Sequence, residues 1–132
     1  MAMPDGESPA AFELGGGYVP SVASVTSGGP AAAIASDSPS LANWWRAFCA
    51  GEIVSQASLT EMTTWQDEYG LGLYNVADPY AQAVGHTGED VGFVAWAGCL
   101  PEDGSVVVVL SNRVVENIGG MARPLVDAAQ SD

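Results

Sequence analysis

Residues 69–112 read YGLGLYNVADPYAQAVGHTGEDVGFVAWAGCLPEDGSVVVVLSN, and the fold turns on this stretch. Tyr69 to Val76 looks like a strand with glycines at alternate positions, and residues 81–87, 91–99 and 105–111 read as three further strands. Pro101-Glu102-Asp103-Gly104 supplies the turn residues for a hairpin between the last two. Val106 to Leu110 is apolar at every position, the pattern of a strand covered on both faces. It is also the last strand of the meander, so its outer edge is open unless another strand pairs with it. Helices to cover both of its faces are few.

Working back toward the N-terminus, the period becomes helical. Ser38 can cap, Pro39 suits the first helical position, and Leu41, Trp44, Trp45 and Phe48 share one stripe. Cys49 borders that stripe and Gly51 ends the helix; the aromatic residues read as core rather than as a ligand box. A second, short helix follows from Ser55, with Leu59 and Met62 on one face. Beyond the strands, Asn117 can cap a last helix whose Ile118, Met121, Ala122, Leu125, Val126 and Ala129 align, with Pro124 expected to kink or loosen it. The expected class is α+β, an antiparallel sheet with helices before and after it. Residues 1–36 read as an irregular Gly/Pro/Ser-rich segment and residues 37–132 as the ordered part. Gly15-Gly16-Gly17 lacks the spacing and the Lys-Ser/Thr of a phosphate loop.

The 132 residues suit one domain, and 48% are hydrophobic against 14% charged. Three arginines face sixteen Asp and Glu, for a net charge of −13 with no lysine. Such a chain has no basic footprint for nucleic acid or for anionic lipid. Without lysine it has no Schiff base, Walker loop or Ser-x-x-Lys nucleophile of its own. One His and two Cys do not make up a usual structural zinc site. Met1 to Ala10 lacks the pattern of a signal peptide, and no apolar run reaches the ~20 residues of a membrane span. Cys49 and Cys99 read as two buried thiols, with a disulfide between them as the alternative, which would imply an oxidising compartment.

Tyr69-Gly70-Leu71-Gly72-Leu73, then Gly85-His86-Thr87-Gly88 with Gly92-Phe93, then the Pro101–Ser105 turn, the valine run and Ser111-Asn112 form an ordered series. That series resembles the C-terminal part of the serine β-lactamase and penicillin-binding protein superfamily. The resemblance is to the branch of class C β-lactamases, D-alanyl-D-alanine carboxypeptidases and related esterases. Ser36-Asp37, the helix up to Gly51 and Gly51-Glu52-Ile53-Val54-Ser55 extend it, so that it covers roughly residues 24–128.

The resemblance implies the C-terminal portion of a β-lactamase-like fold and an acyl-serine mechanism on a β-lactam, a D-Ala-D-Ala peptide or an ester, with neither metal nor organic cofactor. His86, Thr87 and Gly88 fall on the family's third active-site motif. It gives His86 a catalytic role, donating a hydrogen bond or carrying a proton. Thr87 would offer its hydroxyl to substrate, Gly88 would let a substrate backbone lie close, and the Glu89 N–H would be an oxyanion donor. Glu89 stands where the family commonly has a small residue, and Asp90 adds a second negative charge beside it. Their carboxylates would oppose an anionic substrate, which leaves room for a neutral ester or amide. Ser-x-x-Lys and Tyr-x-Asn are absent, so the chain alone is expected to be inactive and to need the N-terminal part of such a domain. Full-length members are often secreted or periplasmic; composition itself leaves the compartment open. The alternative is a non-catalytic substrate-binding or regulatory module with the same partial fold.

Overall fold

The computed structural model describes residues 11–14, 17–20, 28–31, 34–77, 81–90, 92–113 and 115–131, with the backbone alone at 11–14, 17–20 and 90. Most of residues 1–36 lie outside that description. Those within it include two paired strands, β1 (Ala11–Leu14) and β2 (Gly17–Pro20), and a short 3-10 turn at Gly29–Ala31. The expectation of a wholly irregular start is corrected accordingly. The register runs from Ala11 opposite Pro20 to Leu14 opposite Gly17.

The rest is an α+β arrangement. Helices α1 (Ser38–Cys49) and α2 (Gln56–Met62) precede a four-stranded antiparallel sheet. Its strands, β3 (Tyr74–Asn75), β4 (Val84–Asp90), β5 (Phe93–Cys99) and β6 (Val106–Ser111), lie in sequence order, and α3 (Ile118–Ala129) closes the chain. The cap of α1 is Asp37 rather than Ser38. Its carboxylate accepts the Ser40 N–H at 2.8 Å, which holds that carboxyl below its ordinary range. Ser55 caps α2 and Asn117 caps α3, as their positions suggest. Pro124 is carried inside α3 without ending it.

The two-residue repeat of β5 and β6 builds two cores, one on each face of the sheet. Trp96, Val107 and Val109 pack toward Ala122 and Val126 of α3. Ala97, Val106 and Val108 pack toward Trp45 and Phe48 of α1 and Leu59 of α2. One helix layer therefore covers each face, against the expectation that helices for both are few; this accounts for Val106 to Val109, while Leu110 is exposed. Trp96 is fully buried, and its Nε1–H donates to the Val76 carbonyl at 3.0 Å, tying the segment after β3 to the sheet centre. Among the described residues no strand pairs with the outer edge of β6.

Two sequence expectations give way here. Tyr69 to Val76 is not a continuous strand: only Tyr74 and Asn75 pair with β4, at Gly85 and Val84. The segment before them turns back on α2, with Leu71 N–H donating to the Met62 carbonyl at 3.0 Å and Gly70 N–H to the Leu73 carbonyl at 2.7 Å. Gly70 lies so close to Met62 that a Cβ there would fall 2.0 Å from its carbonyl oxygen. Gly70 thus serves close approach, while Gly72, with open space around it, supplies a positive φ of 73°. The second correction concerns the cysteines, which are not free thiols. The last turn of α1 sits over the end of β5, and Cys49 and Cys99 are joined by a disulfide with Cα atoms 6.6 Å apart.

Candidate functional site

The third-motif residues lie on β4, whose neighbours differ along its length. On one side β5 pairs with it throughout, from Val84–Cys99 to Asp90–Phe93. On the other side β3 covers only Val84 and Gly85. From His86 to Asp90 that edge has no strand partner among the described residues. Ala83 marks which backbone groups face it, since its carbonyl accepts Val76 N–H at 3.0 Å and its N–H donates to Asn75 Oδ1 at 2.8 Å. Backbone groups repeat every second residue along a strand, so the N–H and C=O of Thr87 and Glu89 point the same way. The Glu89 N–H therefore faces the open edge, as an oxyanion donor would.

Side chains gather at the near end of this edge. The Tyr74 and Thr87 hydroxyls are 2.7 Å apart, and Tyr69 Oη lies 2.8 Å from His86 Nε2. His86 Nδ1 closes on the Thr87 carbonyl oxygen. The rings of Tyr69 and Tyr74 stack at 6.0 Å, and both meet the imidazole edge-on at 5.8 and 5.2 Å. Tyr69 is held by reciprocal backbone bonds with Gln66 of 2.8 and 3.1 Å. The two residues between them, Asp67 and Glu68, both take positive φ, of 49° and 73°. Two successive non-glycine residues in the left-handed region are costly, so the turn that places Tyr69 is a strained one.

What these groups can do chemically follows from their partners. Two hydroxyls sharing one hydrogen bond leave one proton free, so the half-buried Thr87–Tyr74 pair can still donate to a ligand. Gly88 is exposed, and a Cβ there would meet only the Ala95 Cβ at 3.7 Å, so no internal packing requires a glycine. Gly85 is the opposite case: a Cβ would fall 2.2 Å from the Ala97 carbonyl oxygen. Glu89 is exposed, and the Asp90 side chain lies outside the described residues. The imidazole has both nitrogens occupied. Tyr69 and Tyr74 were not singled out from sequence as site residues, because they stand 17 and 12 positions before His86 and no local pattern links them to it. Among the described residues no three His, Cys, Asp or Glu side chains gather as a metal site, and no helix is long and apolar enough to cross a membrane.

Comparison with protein-family models, with characterised proteins and with solved structures finds no match for the chain.

Proposed function

We propose that these residues form the C-terminal portion of a serine hydrolase of the β-lactamase-related kind, supplying the third-motif wall of its active site. The observation that carries this reading is the open edge of β4 from His86 to Asp90. Along it lie a hydroxyl at Thr87, an exposed glycine with no internal use at Gly88, and the outward N–H of Glu89. An extended acyl substrate can pair with such an edge through backbone hydrogen bonds. The Thr87 hydroxyl would orient it, and the Glu89 N–H would receive the developing oxyanion, a contribution of ~3 kcal/mol in a complete site. The apolar β6, whose outer edge has no strand partner among the described residues, adds support, because further strands of a larger sheet would find their place there. With no lysine in the sequence, a Ser-x-x-Lys nucleophile would come from residues outside these 132. The exposed Glu89 carboxylate favours a neutral ester or amide over an anionic substrate.

The DNA upstream of the Met1 codon tests this directly. An open frame encoding Ser-x-x-Lys and then Tyr-x-Asn is expected; a stop codon there, with neither motif encoded nearby, would overturn it. The second reading, a non-catalytic binding or regulatory module, draws on the occupation of both His86 nitrogens. It predicts that the purified chain binds a small acyl peptide or ester without turnover. Covalent capture of one of its own serines by a fluorophosphonate would rule out both readings in favour of an independent hydrolase.

A further inference from the structure

The neighbours of His86 decide which of its nitrogens carries the proton. Nδ1 meets the Thr87 carbonyl oxygen, which can only accept, so Nδ1 holds a hydrogen and donates. In the neutral ring Nε2 is then bare, and the Tyr69 hydroxyl 2.8 Å away is the donor to it. We propose that Tyr69 is a positioning residue of the β4 site: the Thr87 carbonyl holds His86 in the Nδ1–H tautomer, and Tyr69 occupies the Nε2 lone pair that this leaves bare. The hydroxyl of Tyr69 thereby stands in the place that an incoming hydroxyl would take. Any group drawing on this imidazole must first displace it.

The surroundings support a placed ring rather than a chance contact. Tyr74 stacks on Tyr69 and touches the imidazole edge-on, while its own hydroxyl is tied to Thr87. The backbone of Tyr69 bridges to both Gln66 and Tyr74, and the turn that delivers it keeps two non-glycine residues at positive φ. Tyr69 itself is 46% exposed, so its displacement by a ligand needs no opening of the core. The inference rests on the third-motif reading only for what the imidazole is used for; the state of the ring is a separate matter.

His86 is the only histidine in the chain, so its ring signals are unambiguous. Nitrogen-15 NMR of the folded 132-residue protein, at a pH where the ring is neutral, should show a protonated Nδ1 and a bare, hydrogen-bonded Nε2. In Tyr69→Phe the Nδ1–H tautomer should persist while the Nε2 signal shifts to that of a nitrogen without a hydrogen-bond donor, and acylation of the ring by diethyl pyrocarbonate should become several-fold faster. Tyr74→Phe should leave both nitrogens as they are. An Nε2–H tautomer in the unaltered protein would overturn the proposal, and that result needs no variant to fold. Ring signals and acylation rate unchanged in a folded Tyr69→Phe would overturn it too. Absence of any hydrolase activity would count against the function proposed above and leave this measurement untouched.

Discussion

Gly88 sits in the interior of β4, where a glycine weakens a strand by roughly 0.5–1 kcal/mol relative to alanine. Nothing in the folded chain compensates for that, since a Cβ would meet only ordinary contact with Ala95. Under the proposed function the position leaves room for a substrate backbone along the edge. Gly88→Ala should leave stability to urea unchanged or raise it by up to about 1 kcal/mol. Binding of an extended acyl ligand along the edge should fall sharply in the same variant. A destabilised Gly88→Ala protein would show instead that the glycine serves the strand itself. Gly85→Ala, only three residues away, should be strongly destabilising, because its Cβ would strike the Ala97 carbonyl.

Among the elements, those with a clean period were legible and those made by close approach were not. The stripe Leu41, Trp44, Trp45, Phe48 placed α1, although Trp44 is half-exposed and stacks on Phe48 at 5.1 Å rather than entering the core. The paired faces of β5 and β6 followed from Val106–Leu110, and the turn ended in Gly104 at φ 77° as its composition suggested. The cap moved by one residue because Asp37 and Ser38 can both accept from a helix N-terminus, and it is the Asp37 carboxylate that accepts Ser40 N–H. Of the site, His86, Thr87, Gly88 and Glu89 could be named from one local motif. Tyr69 and Tyr74 could not, since a strained turn and a stacked ring bring them in from afar. Asp67 and Glu68 hold the conformation that Asn-Gly adopts readily. The double variant Asp67→Asn, Glu68→Gly should gain about 1–2 kcal/mol, read as a higher thermal midpoint. A midpoint that falls would mean the charged pair has contacts worth more than the strain.

At the scale of the whole molecule, one covalent link joins the helical layer to the sheet. The Cys49–Cys99 bridge closes a loop with a sequence separation of 50, which by chain entropy stabilises the folded state by about 4 kcal/mol. Set against a usual total of roughly 5–15 kcal/mol, that is a large share. Reduction, or Cys49→Ser with Cys99→Ser, should lower the urea midpoint substantially; an unchanged midpoint would contradict this. The same bridge suits an oxidising compartment. Among the described residues the sheet, for its part, has no strand partner along two unlike margins, β4 beyond Gly85 on one side and all of β6 on the other. Unlike margins on opposite sides let one copy add to the next without the series ever closing on itself. What holds copies apart is a net charge of −13 on each, felt over about 10 Å at 0.1 M salt and only about 3 Å at 1 M. Concentrated samples should therefore turn turbid with filaments in strong brine and stay clear in dilute buffer, so that ionic strength, more than temperature, sets their shelf life.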